Sequence, residues 1–471
     1  MTQLIKDMAR IVGEAGVLSA SRDLEAYVSD CRGRSKGSAL CVVRPASVEE
    51  IAAVVAKCLE HGVPIQPQGG NTSLCGGSVP LEGERGVILS LARMRRIREI
   101  DTANNSITVD AGCVLADVQR AALDAGRLYP VSLGAEGSCQ IGGNIATNAG
   151  GTGVLRYGST RDNVLGLEVV LSDASIWHGL RGLRKDNTGF DLKHLFIGSE
   201  GVLGIISAAT LKLHPLDTQQ FTTWLAPASL DAAVELLALF QSALGPHLSA
   251  FEIMNSAQVK NVLAHVSDRQ SPLDSSHPWH LIAELGANTD IRPDLERVLE
   301  KAISSRLLID AALAASEAQR AAIWKVRHSV VEANNKAGRR IVHDIAVPLS
   351  RIPEFVRRAS AAVAERYPKV QIVIVGHIGD GNLHFSPMFD FETWNAFADP
   401  EAVIEEVRRL THDTAMALGG SFSAEHGVGR DMLAEMRRYK SPVELSLMRS
   451  IKRALDPHGL FNPGKVIPET D

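Results

Sequence analysis

Gly134-Ala-Glu-Gly-Ser-Cys-Gln-Ile-Gly-Gly-Asn-Ile-Ala-Thr-Asn-Ala-Gly-Gly-Thr-Gly153 is the stretch on which the fold turns, and Pro67-Gln-Gly-Gly-Asn-Thr-Ser-Leu-Cys-Gly-Gly77 repeats its texture. Glycine lets backbone N–H groups crowd round a diphosphate with no Cβ in the way, and the interleaved Asn, Ser and Thr add hydrogen-bonding groups. Either stretch alone also reads as tight turns. Two of them, each leaving or entering a strand, favour a phosphate-bearing cofactor. Neither fits G-x-G-x-x-G with an acidic residue about 20 positions on, and no G-x-x-x-x-G-K-[ST] occurs, so a nicotinamide Rossmann site and a P-loop are not supported.

The flanking text supplies the strands. Cys41–Pro45 reads as a strand, Ser47–Cys58 as a helix opened by Ser47 with Glu50 three residues on, and His61–Pro67 as the turn and next strand, together a βαβ unit. Further strands are expected at Gly86–Leu91, Ser106–Asp110, Leu165–Leu171 and Gly204–Leu213, and a helix over Leu115–Ala125. After Pro215 the texture changes. Leu230–Leu244, Asp294–Ser304, Ala315–Asn335 and Ile352–Arg366 have helical spacing; Trp279–Glu284, Arg340–Val347 and Val370–Val375 read as strands. This suggests an α+β layer unit whose sheet is covered on one face. The last 50 or so residues read as helical.

Composition narrows the function classes. The 471 residues are 45% hydrophobic and 22% charged, with 40 glycines and a net charge of −5, which is globular and offers no general attraction to nucleic acid or anionic lipid. The six cysteines form no C-x-x-C and no cluster for zinc or an iron–sulfur centre, and read as buried thiols of a reducing compartment. The first residues lack the build of a secretion signal, and no run approaches the roughly 18 apolar residues of a membrane span. The expectation is a soluble, cytoplasmic protein.

Val375-Gly-His-Ile-Gly-Asp-Gly-Asn-Leu-His-Phe385 reads as a hairpin. With Asp380-Gly381 as a two-residue turn, His377 would directly oppose His384, close enough for both imidazoles to reach one metal ion. A satisfied or exposed histidine pair is the plainer reading. Ser423-Ala-Glu-His-Gly-Val-Gly429 offers a carboxylate, Glu425, and an imidazole, His426, in a glycine-flanked loop; taken alone, such a pair is more often solvated than a ligand set. Arg327 lies on a helix, where a surface salt bridge is the plain alternative to binding a carboxylate with its fork.

The strand-helix-strand leading into Pro67-Gln-Gly-Gly-Asn-Thr72, the run Gly142-Gly-Asn-Ile-Ala-Thr-Asn-Ala-Gly150, Arg156-Tyr-Gly158, Lys185-Asp-Asn-Thr-Gly-Phe190 and Leu195–Ile205 resemble the FAD-binding domain of the vanillyl-alcohol-oxidase/PCMH superfamily. More narrowly, they resemble its D-2-hydroxy-acid dehydrogenase branch, which includes D-lactate, D-2-hydroxyglutarate and glycolate dehydrogenases. The resemblance runs from about residue 38 to the C-terminus. It implies an α+β chain: an N-terminal helical segment over 1–37, a PCMH-type FAD-binding domain of two α+β subdomains over 38–216, a substrate or cap domain with an antiparallel sheet and the metal-binding hairpin over 217–420, and a C-terminal helical segment returning to the flavin over 421–471.

The resemblance also implies site residues. Pro67, Gly69, Gly70, Asn71, Thr72 and Ser73 would hold the FAD diphosphate from one side and Gly142, Gly143, Thr147 and Asn148 from the other. Ile205 would lie near the adenine end and Asn462 in the returning C-terminal segment. The first glycine loop has no histidine, so the FAD is expected to be noncovalent. His377, His384 and Glu425 resemble the ligands of a divalent metal, zinc or manganese; His426 the catalytic base; Arg327 the arginine for the substrate carboxylate; and Asn382 a group that polarises substrate or flavin. Glu252 reads as structural.

The implied reaction is oxidation of a D-2-hydroxy acid to the 2-oxo acid, of the D-lactate or D-2-hydroxyglutarate class, with hydride passing to flavin N5. Electrons would leave to an external acceptor such as an electron-transfer flavoprotein or a quinone, and a homodimer is one option for assembly. One departure stands out. Relatives acting on 2-hydroxyglutarate commonly carry a lysine where this chain has Val342 and a hydroxyl residue where it has Val331. A distal carboxylate would lose those partners unless Arg339 or Arg340 reaches in. Two readings from other classes stay open on the residues alone: a zinc-dependent hydrolase of a phosphate-bearing substrate, and a non-catalytic nucleotide-binding protein.

Overall fold

The computed structural model describes residues 2–83 and 85–469. The chain divides into two compact units. One contains the residues up to Gly150, Gly158–Leu216 and the segment from Glu425 onward; the other contains Gly151–Tyr157 and Asp217–Ala424.

The first unit is built on two sheets. In the smaller, Ala39–Val43 and Ile65–Gln68 lie parallel on either side of Gly86–Ser90, and Val17–Leu18 adds an antiparallel edge. The Val48–His61 helix makes the crossover that parallel strands require. Ser47 caps it by accepting from Glu50 N, while the Glu50 carboxylate takes the N–H of Ala46 at 2.7 Å. The helix stops at Gly62, whose φ of 61° suits glycine. Its buried stripe, Val48, Ile51, Val54, Val55 and Cys58, joins strand residues such as Cys41, Val43 and Val87 in one core. The larger sheet is antiparallel and five-stranded, in the order Ile97–Asp101, Ser106–Asp110, Ile205–Lys212, Val164–Val170, Ile176–Gly179.

In the second unit Leu308–Leu313, Gln219–Pro227, Trp279–Ala287, Leu248–Asn255, Gln371–His377 and Asn382–Phe389 pair in that order. Arg339–Arg340 and His343–Ala346 both pair with the last strand, and every pairing is antiparallel. The expectation of a sheet covered on one face is corrected: both faces are covered. Phe251, Ile253, Leu281, Leu285, Leu383 and Phe385 pack with the Leu230–Leu244 and Ile352–Arg366 helices. Trp224, Met254, Ile282 and Val375, of opposite parity, pack with Val259, Val262, Ile323, Val326 and Val330 from three helices on the other side. Period-2 alternation of two apolar sets puts one on each face.

Two further expectations change. The helix expected over Ala315–Asn335 is two, Glu317–His328 and Val330–Ala337, broken at Ser329, whose Oγ donates to Lys325 O and accepts from Arg269 Nε. A hydroxyl so engaged competes with the helix ladder. Of the six thiols, Cys31 is exposed; the other five are buried, and burial pushes those of Cys41 and Cys58 up to about 12. Among the described residues no helix is long and apolar enough to cross a membrane.

Candidate active site

In the first unit the two glycine stretches lie against each other. A Cβ on Gly70 would drive into the Ser138 carbonyl, and one on Gly69 would stand 3.5 Å from the Gln140 side chain and 3.7 Å from Gly143 N. Gly142 is packed on Ala111, to whose carbonyl its N–H donates at 2.7 Å. Gly143 differs: nothing lies within 4 Å of where its Cβ would be. Beside it, the buried Gln140 Oε1 accepts no hydrogen bond among the described residues. An open glycine flank next to an unsatisfied buried acceptor fits a ligand rich in N–H and O–H donors, as FAD is.

The other residues expected to hold the cofactor are placed as follows. Pro67 lies in the Ile65–Gln68 strand, Thr72 is half-buried in the loop after it, and Ile205 heads its strand, buried. Ser73 Oγ accepts from Gly77 N, and Thr147 Oγ1 donates to Gly143 O. Three asparagines act as internal braces in left-handed conformations. Asn71 donates to Ala26 O and Ser29 O and accepts from Ser78; Asn148 accepts from Ser159 Oγ and Arg161 N; Asn462 donates to Gly77 O and Glu200 O. Their side chains shape the loops.

Glu425 and His426 open the C-terminal segment of this unit. The Glu425 carboxylate packs on Gly150, filling the space a Cβ there would take. Glu200 secures the segment by accepting from Val428 N at 2.7 Å and Gly429 N at 2.8 Å; burial raises its carboxyl despite those two donors. Glu200 is a residue the sequence reading passed over, although a charged side chain between glycines at positive φ marks a deliberate turn.

In the second unit the hairpin differs from its expected form. Residues 378–381 make the turn, His377 opposes Asn382, and His384 opposes Val375. His377 and His384 are therefore a diagonal pair. A shift of two residues preserves parity, so both still point to the same face, with ring centroids 5.6 Å apart at 84°.

Two acids that the sequence reading did not assign to the site support these histidines. Glu252, 1% exposed, lies in the Leu248–Asn255 strand. Its Oε1 is 2.6 Å from His377 Nδ1, and its Oε2 accepts from Arg327 Nε at 2.8 Å and lies 2.7 Å from Arg327 Nη2. Burial would raise this carboxyl; the charge His377 carries when protonated, the charge of Arg327 and the hydrogen bonds from both outweigh that and hold it at about 2. An ionised carboxylate only accepts, so His377 carries a proton on Nδ1 whether neutral or charged, and Nε2 is the nitrogen of its neutral form that can ligate. Asp344 Oδ1 lies 3.5 Å from His384 Nδ1 and accepts from Asn382 Nδ2 at 2.8 Å, and its Oδ2 takes Ala424 N at 3.2 Å. Asn382 gives its other amide hydrogen to Ile345 O, so its buried Oδ1, with no partner among the described residues, is left as an acceptor. A polar residue inside an apolar run, as in Phe251-Glu-Ile-Met254, was the signal available for Glu252, since a buried acid must be paired.

Comparisons with known proteins follow the same division. The FAD binding domain model matches residues 39–179, and the model of the C-terminal domain of FAD linked oxidases matches 219–466. The chain is 37% identical over 450 residues to a D-2-hydroxyglutarate dehydrogenase of Xanthomonas citri pv. viticola, covering 95% of this chain and 93% of that one. It is 36% identical over 456 residues to the mitochondrial D-2-hydroxyglutarate dehydrogenase of Bos taurus, covering 96% and 81%. Among solved structures, p-cresol methylhydroxylase with substrate bound superposes with a TM-score of 0.76 at 17% identity, covering 100% of this chain and 98% of that one, which establishes the PCMH-type fold. Matching domain models in both halves, together with near full-length relatives, assign this chain to the FAD-dependent D-2-hydroxy-acid dehydrogenase family, a family of oxidoreductases.

Proposed function

We propose that this protein oxidises a D-2-hydroxy acid to the 2-oxo acid with noncovalent FAD and a divalent metal held by His377, His384 and Glu425. The observation that carries the reading is the pair of imidazoles on one sheet face, one of them with Nδ1 2.6 Å from the Glu252 carboxylate. Two histidines and a carboxylate suit zinc or manganese and leave coordination positions open for substrate. When bound, FAD supplies a two-electron acceptor at N5, and the metal supplies a Lewis acid that lowers the pKa of the substrate's C2 hydroxyl.

The chain's own groups do the rest. Arg327 holds the substrate carboxylate and so limits how C2–H can point. His426 accepts the hydroxyl proton as general base. Asn382 Oδ1 offers an acceptor for a substrate hydroxyl or flavin N–H. Electrons then pass to an external acceptor, an electron-transfer flavoprotein or a quinone.

Dye reduction with a panel of D-lactate, D-2-hydroxyglutarate, D-malate, glycolate and longer D-2-hydroxy acids tests the reading. Turnover that stops with a chelator and returns on adding zinc or manganese supports it. Turnover indifferent to chelation contradicts the metal.

A further inference from the structure

Glu252 divides its two oxygens between side chains with different tasks. An arginine and a carboxylate usually meet fork to fork, two N–H groups on two oxygens. Here Arg327 donates from Nε to Oε2, with Nη2 2.7 Å from the same oxygen, and Oε1 is left to His377 Nδ1. The three groups come from separate elements: Glu252 from the Leu248–Asn255 strand, His377 from the end of the Gln371–His377 strand, and Arg327 from the Glu317–His328 helix. Glu252 is buried and Arg327 nearly so, with side-chain exposures of 1% and 12%. A pair this buried is held in place by packing.

We infer that Glu252 is a positioning residue that sets the metal ligand and the substrate-carboxylate arginine in one frame, fixing His377 as the Nδ1-protonated tautomer and fixing the plane of the Arg327 guanidinium. The inference rests on the function proposed above. Its physical content is that a single rigid group determines the distance between the metal and the bound carboxylate, so neither can drift without the other. It also explains why an acid is required. A glutamine at 252 keeps one acceptor oxygen. If that oxygen serves Arg327, the amide N–H₂ faces His377 Nδ1, which must then become an acceptor, moving the imidazole proton to Nε2 and removing the ligand lone pair.

The test uses the full FAD-loaded chain. Side-chain nitrogen NMR of metal-free, 15N-histidine-labelled protein should show His377 protonated at Nδ1; protonation at Nε2 overturns the inference without any variant. In Glu252→Gln, zinc affinity measured by competition with a chromophoric chelator should fall 10–100-fold, and KM for the hydroxy acid should rise, with flavin content at the wild-type level. His377→Ala is the control. If it loses zinc while Glu252→Gln binds zinc and substrate normally, Glu252 has no positioning role and the metal assignment stands. If His377→Ala keeps zinc at wild-type affinity, the metal assignment falls and the inference with it. Should Glu252→Gln fail to fold, the wild-type tautomer decides.

Discussion

His377 and His384 are not opposite each other across their hairpin, yet their rings face one another at 5.6 Å on the same side of the sheet. A diagonal pair places side chains farther apart at Cβ than a direct one and suits imidazoles that converge on a shared ion rather than stack. Replacing either should remove the ion without touching the glycine stretches of the other unit. His384→Ala should abolish turnover, a loss of at least about 10³-fold, while the purified protein stays yellow with a full complement of FAD. Activity near the wild-type level would exclude His384 as a ligand.

Gly143→Ala should separate cofactor binding from folding. The missing side chain of Gly143 leaves open space inside a helix, Ile141–Ala146, so Gly143→Ala costs no clash with the protein and gains about 0.5–1 kcal/mol of helix stability. Apo-protein melting should hold or rise while FAD affinity falls tenfold or more. Gly70→Ala is the contrast, since its Cβ meets the Ser138 carbonyl and should lower stability even without FAD. Equal FAD affinity in Gly143→Ala and wild type would place the diphosphate elsewhere.

A buried histidine pair makes stability depend on pH. His343 Nδ1 and His412 Nε2 lie 3.3 Å apart; burial brings His412 down to about 4 and, with the adjacent His412, holds His343 well below its usual range. Between about pH 6.5 and 4 the unfolded chain binds protons that the native one refuses. The contribution is therefore intact above about pH 6.5 and is lost as pH falls toward 4, by about 3 kcal/mol for His412 alone. Urea unfolding at pH 7 and pH 5 should show this decline, and His412→Gln should flatten it. An identical slope in the variant would refute the assignment.

Val342 is the position at which substrate preference can be probed. Arg340 opposes Met388 and Asp344 opposes His384, a common register in which Val342, between the two paired segments, has the parity of the histidine face. Arg339 points the other way, its guanidinium 5.9 Å from the Trp394 ring centroid. Val331, 57% exposed, offers no hydroxyl. Val342→Lys should raise kcat/KM for D-2-hydroxyglutarate relative to D-lactate by about 10–100-fold, the worth of one charge-assisted hydrogen bond. An unchanged ratio would show that residue 342 does not face the substrate tail.

Much of this was readable before any coordinates, for physical reasons. The Leu230–Leu244 and Ile352–Arg366 helices and the Ser106–Asp110 strand appear with the bounds expected for them, the helices because each buries one regular stripe and the strand because Ile107 and Val109 alternate into the core. The hairpin register was not readable: Asp380-Gly381 signals a turn, but the Ile378–Asp380 helical turn lengthens the loop by two residues, an even shift that spared the histidine face. Strand Gln219–Pro227 was missed because both its faces are buried and alternation disappears. Glu252 and Asp344 were invisible as site residues since their role depends on partners distant in sequence, His377 and Arg327 for the one and Asn382 for the other.

Anaerobic mixing of the FAD- and metal-loaded protein with a single equivalent of D-2-hydroxy acid, followed at the flavin absorbance band, tests the central claim most directly. The D-enantiomer should bleach the band in one phase and yield the 2-oxo acid in equal amount, the L-enantiomer should leave it unchanged, and the metal-stripped protein should remain oxidised. Bleaching of the stripped protein at the same rate, or a band that no 2-hydroxy acid alters, would contradict metal-assisted oxidation at this site.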